Sequence, residues 1–231
     1  MNHLSVGRVL SLGLLVVVVV LALSACGGDE KKAEARPLPE DPKTLRPGKY
    51  RSEEFKPSLS FRVGKGWSSA PFLVEASDVL QIARGQTAGL GFVNVQEVYK
   101  PTKTGGPNVV DAPEDMVGWL QQHPYLQTSK PEPVRVGGVK GLQFDVVVGD
   151  RPQNYIPVCT SMVGNPNCVD LFRLSTGVPI LLVEGDKAGV IVLEDVEGET
   201  VTIGFVSPAS EFGEFAPEAQ KVLDSVAWRG S

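Results

Sequence analysis

Histidine is almost absent from this chain. Of 231 residues two are histidine, and one of them, His3, lies at the extreme N-terminus. A Ser-His-Asp hydrolase would therefore have to use His123. No Gly-x-Ser-x-Gly elbow, His-Glu-x-x-His pair, phosphate loop or calcium loop is present. Cysteine is scarce as well, at positions 26, 159 and 168 only, and no second Cys or His lies near enough to either of the last two to suggest zinc. Basic clusters are missing, and the net charge is −5. A nucleic-acid partner and electrostatic docking to anionic lipid are both excluded on that balance. No metal and no cofactor is expected.

What is present begins with an address. Arg8 supplies a positive start, and no acid occurs before Asp29. Residues 12–23 form an almost unbroken apolar core with five consecutive valines, and Leu23-Ser24-Ala25-Cys26 closes it. This is the arrangement of an export signal cut before a small-residue site. Leu23-Ser24-Ala25-Cys26 resembles the lipobox of bacterial lipoproteins, which implies cleavage before Cys26 and acylation of its thiol. An uncleaved anchor and a secreted form are the rival readings, and all three place the domain on the extracytoplasmic side. A spanning helix needs about 20 apolar residues, and this core is shorter. Two acyl chains at about 0.8 kcal/mol per buried methylene would hold the protein on the membrane without help from protein charge.

The chain then divides into a signal segment at 1–25, a polar, proline-rich tether at 26–54, and one domain at 55–231. Pro37, Pro39, Pro42 and Pro47 and the mixed charges of the second segment predict a flexible spacer that cannot bury a core. Loss of the signal removes Arg8 and leaves 21 basic against 27 acidic residues, a net of about −6. Cys159 and Cys168 flank Gly164-Asn165-Pro166-Asn167, strong turn chemistry, so an exported domain is expected to join them as a structural disulfide.

Within the domain, Leu59-Ser60-Phe61-Arg62-Val63 alternates as a half-buried strand does. Further strands are predicted at 72–76, 79–83, 90–99, 134–136, 142–148, 169–174, 180–183, 190–196 and 200–206. Short turns at Glu184-Gly185-Asp186-Lys187 and Glu197-Gly198 make the later strands antiparallel. Gly137-Gly138 lies between two strands and is expected to be a hairpin turn, not a phosphate loop. Asp111 with Pro113 predicts a helix start, running through Met116 and Leu120 and ending at His123-Pro124. A second helix over 215–226 carries Phe215, Ala219, Val222, Leu223 and Val226 on one stripe. The expected fold class is α+β, an antiparallel β-sheet with packed helices.

Leu59 through Trp67, the run Val136-Gly137-Gly138-Val139-Lys140-Gly141-Leu142-Gln143-Phe144, and the close Ser225-Val226-Ala227-Trp228 are similar to the opening, central and final segments of the PsbP-like family. That resemblance implies an α/β/α sandwich and an accessory or binding role without catalysis. It carries over no functional residue. The residues themselves leave three functions open. The first is a lipid-anchored accessory or binding lipoprotein, partnered by an envelope protein or a small ligand. The second is a tethered hydrolase using His123 or a carboxylate pair from Glu114-Asp115 or from Glu194, Asp195, Glu197 and Glu199. The third is a carrier with a dry cavity between the sheet and its helices. No catalytic residue is assigned. His123, before Pro124, is expected to cap the helix C-terminus as a protonated ring. Trp119 and Tyr125 are the candidate wall of a pocket.

Overall fold

Val190-Ile191-Val192-Leu193 is apolar at every position, with no alternation. A strand reads that way when both of its faces are covered. In a computed structural model of the chain, which describes residues 34–39, 43–70, 75–102, 108–158 and 167–229, this segment lies inside a large sheet with a core on each side. Its strand, β15 (Asp186–Val196), pairs with β12 (Val139–Val148) and β16 (Glu199–Pro208). The sheet continues from β16 through β7 (Ala88–Asn94) and β6 (Val79–Arg84) to β4 (Trp67–Ser69), and from β12 to β10 (Leu126–Thr128). Two further strands, β11 (Glu132–Val136) and β5 (Glu75–Ala76), pair with β12 and β6 and bring the sheet to nine strands. Every pairing in it is antiparallel.

One face carries helix α2 (Phe212–Leu223) and a four-stranded sheet of β1 (Arg36–Pro37), β2 (Gly48–Arg51), β3 (Leu59–Val63) and β17 (Ala227–Trp228). Phe215, Ala219, Val222 and Leu223 of α2 enter that core, as the stripe predicts. The other face carries a sheet in the order β14 (Pro179–Val183), β13 (Cys168–Arg173), β8 (Glu97–Lys100), β9 (Asn108–Asp111), with the short helix α1 (Met116–Gln121) beside it. Among the described residues the domain is mostly β, with two short helices. The α/β/α expectation is corrected here, because a sheet and not a helical layer covers the second face.

Three other readings change. The described part of 26–54 is no free spacer: Leu38, Leu45 and Tyr50 are buried, and β2 runs antiparallel to β3. Proline masks this because Arg36 and Pro37 form only an edge strand, where a missing N–H is tolerated. Asp111 belongs to β9, and the side chain that caps α1 is Asp115, which accepts from Gly118 N at 2.7 Å. The run 90–99 is two strands, since Val95 and Gln96 carry the chain from the large sheet to the outer one. Of 72–76 only Glu75–Ala76 lies among the described residues, as β5. The hairpin reading of Gly137-Gly138 holds: both have positive φ, at 57° and 85°, between β11 and β12, as a two-residue hairpin turn requires. Residues Glu34–Ser231 form one compact unit with its own two cores, the condition for independent folding.

Candidate functional site

Three glycines place an opening in the second core. In the sheet register Val206 pairs with Gly89, Gly204 with Gly91, and Thr202 with Val93. Residues two apart share a face, so these six positions all face the side covered by β13 and β14. Gly89, Gly91 and Gly204 put no side chain there. A cavity of about 370 Å³ results, floored by the glycines and flanked on the sheet by Val93, Val190 and Val206. Its roof is Leu171, Phe172, Ile180 and Leu182 from the outer sheet, with Leu120 of α1 at one side. This volume is within the usual range for small-ligand sites, roughly 300–1,000 Å³.

The cleft has a direction. The β6–β7 hairpin puts exposed Gln86 and Thr87 at one end, and Val93 and Thr202 lie at the other. Gly89 to Val93 spans four residues, about 13 Å at 3.3 Å per residue. The far end is clamped: Ser175 donates from its N–H (2.6 Å) and its hydroxyl (2.9 Å) to the buried Asp78 carboxylate. Because Asp78 immediately precedes β6 and Ser175 follows β13, the bond pair ties roof to floor. Among the described lining residues no side chain is charged. Thr202 is 2% exposed, and its Oγ1 has no hydrogen-bond partner.

The residues singled out by sequence lie elsewhere. Trp119 is half-buried and lines a separate groove with Pro101, Pro113, Gln122 and His123. Tyr125 is buried: its hydroxyl donates to Thr102 O at 2.8 Å, and its ring packs on Tyr155 at 4.9 Å. His123 is not a solvent-facing cap. It is 4% exposed, with Trp119 and Tyr125 rings edge-on at 5.1 and 5.8 Å. Burial pushes its pKa down to about 4, so the ring is neutral near pH 7. Its Nδ1 accepts from Tyr125 N–H, and its buried Nε2 has no partner. No carboxylate orients it, and the triad chemistry of a hydrolase is not assembled at His123 among the described residues.

The acidic clusters serve turns. Asp115 caps α1, and Asp195 accepts from Gly198 N at 3.1 Å in the β15–β16 hairpin. Glu114, Glu194, Glu197 and Glu199 are exposed. Among the described residues no group of three or more His, Cys, Asp or Glu is placed to hold a metal. Cys168 is buried at the start of β13, the strand that supplies Leu171 and Phe172 to the roof of the cleft. Cys159 and Cys26 lie outside the described residues. No helix of the described residues is long and apolar enough to cross a membrane.

Together these features define a mostly β, α+β domain with an uncharged cleft between two sheets. A scan against protein-family models finds no match, and no curated protein matches in sequence. Among solved structures the chain resembles cyanobacterial PsbP (CyanoP) from Synechocystis sp. PCC 6803. The identity is 13%, the TM-score 0.40, and the match covers 89% of this chain and 98% of that one. It also resembles LpqN of Mycobacterium tuberculosis, a protein described as involved in cell envelope biogenesis, at 13% identity and TM-score 0.34 over 81% and 90% of the two chains. Likeness of this degree transfers no residue and no role.

Proposed function

We propose that this chain is a non-catalytic binding lipoprotein, exported and tethered through lipid on Cys26, whose domain takes an apolar ligand in the cleft between its sheets. The glycine-floored cavity carries this reading. A well-packed core leaves few voids larger than a water molecule, yet here three small positions on paired strands coincide under an apolar roof. The Asp78–Ser175 clamp holds the roof in place, so the site is formed before anything binds. Burial of an apolar ligand would supply about 25 cal/mol per Å² of apolar surface, less the cost of association. A disulfide from Cys168 to Cys159 fits the same design, since it would fasten the first roof strand. The accessory role and the PsbP-like kinship belong to the same proposal.

The test is direct. The purified Glu34–Ser231 domain should bind the uncharged fluorophore N-phenylnaphthylamine with blue-shifted, enhanced emission. Its sulfonated relative, anilinonaphthalene sulfonate, should bind far more weakly, because no lining cation would pair the buried sulfonate. Equal binding of both dyes, or of neither, would remove the cleft as the site.

A further inference from the structure

Thr202 is the one buried polar group on the cleft face whose side-chain oxygen lacks a partner among the described residues. Its neighbours in the same row across the sheet are Val79, Val93 and Val192. A valine at 202 would match them in shape and leave no unpaired hydroxyl. An orphaned buried hydroxyl is costly, and most native structures avoid it. The threonine is therefore unexplained by the packing of the fold.

Its position supplies a reason. Thr202 stands at the clamped end of the cleft, about 13 Å along the strands from Gly89, which adjoins the Gln86–Thr87 opening. In the rotamer seen, Oγ1 is sealed from solvent. Threonine has three staggered χ1 wells, and a ligand oxygen at this end would reach the hydroxyl in a well that turns it toward the cavity. There it can donate to, or accept from, an oxygen that enters the far end. The rest of the described lining constrains that oxygen's carrier. With no charged side chain present, an ionised headgroup would be buried unpaired, at a cost binding could not recover.

We propose that the cleft binds a neutral aliphatic molecule bearing a hydrogen-bonding oxygen, such as a long-chain alcohol or ester, and that Thr202 is the residue that selects the oxygen. This rests on the cleft being the ligand site and adds the class of ligand to it. The oxygen is held at the closed end, and the aliphatic chain lies over Gly91 and Gly204 toward the β6–β7 hairpin.

The experiment displaces N-phenylnaphthylamine from the Glu34–Ser231 domain with decanol and, separately, with decane. Three proteins are compared: the unchanged domain, Thr202→Val and Thr202→Ser. Comparing proteins for one ligand cancels that ligand's own cost of leaving water. Thr202→Val should weaken decanol by about fivefold to tenfold, the equivalent of one hydrogen bond, and leave decane unchanged. Thr202→Ser keeps the hydroxyl and should keep decanol affinity. Thr202→Val should also melt about 2–5 °C higher, because the orphan is gone. That shift shows the variant is folded and that its lost affinity is not damage. Decanol binding that is equal in all three proteins would overturn the selection by Thr202 and leave the cleft standing. No displacement by either molecule from any of them would overturn the cleft itself and this inference with it.

Discussion

Filling the cleft from its floor should strengthen the fold while it abolishes binding. Gly204 is the position of choice. A Cβ built there meets nothing within 4 Å, and its strand backbone is not in the positive-φ region. Replacing glycine in a strand interior recovers about 0.5–1 kcal/mol of backbone entropy. Each further carbon of a valine that is buried adds about 0.8 kcal/mol before allowance for the compact unfolded chain. Gly204→Val should therefore gain about 1–2.5 kcal/mol, or roughly 3–8 °C in Tm for a domain of this size. The same methyls occupy the path of the ligand. Overpacking of 1–3 kcal/mol corresponds to a tenfold to hundredfold weaker affinity, roughly. The control is Gly189, whose partner in the register is Phe205. There a Cβ would stand 2.0 Å from the Phe205 ring on the opposite face, so Gly189→Val should destabilise by about 1–3 kcal/mol. Urea unfolding and N-phenylnaphthylamine titration on the two variants decide the matter. A destabilised Gly204→Val would show that the space is not there. A stabilised one that binds dye unchanged would show that the space is there and is not the site.

Three further outcomes are expected. Gly137→Ala should cost about 2–3 kcal/mol in urea unfolding, because φ is +57° and the new methyl would lie 2.6 Å from Trp228 Cδ1. Gly138→Ala, with open space, should lose only the backbone cost of about 1–2 kcal/mol. For His123 the folded pKa of about 4 lies below the unfolded value near 6.5. The unfolded chain thus binds more protons between those limits, and stability present above pH 6.5 is lost as pH falls toward 4. About 2 kcal/mol should go between pH 7.5 and 5, and His123→Phe should remove that component; an unchanged slope in the variant would assign it to other groups. Intact mass of the protein from membranes should show an N-terminal Cys26 with its diacylglyceryl group and a gain of two hydrogens on reduction. Reduction should cost about 2.5–3 kcal/mol in the chain-entropy account; free thiols before reduction would remove the disulfide.

Much of the fold is legible in the sequence because local patterns and tertiary demands agree. Strand β3 alternates, α2 carries a single apolar stripe, and the paired glycines at 137 and 138 could only be a turn of positive φ. The failures have physical causes. Asp111 and Asp115 both look like helix caps, and only the sheet pairing of Asp111 with Glu97 decides between them. Sheet changes leave no local trace, so residues 90–99 look like one strand. His123 looks solvated because proline follows it, but Trp119 and Tyr125 enclose the ring. The β2 segment looks like spacer because four prolines surround a short strand whose apolar anchor, Tyr50, stands almost alone.

The cleft escapes a sequence reading for a different reason. Gly89-Leu90-Gly91 is visible as an alternation, and so is Gly204 between Ile203 and Phe205. Each by itself argues only a weakened strand. They become a cavity because β7 and β16 pair in the one register that places Gly91 opposite Gly204. A slip by one residue would set Phe92 and Phe205 on that face and fill it. Leu90, Phe92, Ile203 and Phe205 are instead held in the first core by Phe61, Phe212 and Trp228. The aromatic packing on one side of the sheet thus fixes the register, and the register opens the other side. Substitutions in the first core that relax this register, such as Phe92→Ala, should therefore lower ligand affinity from the far side of the sheet, without touching any residue that lines the cleft.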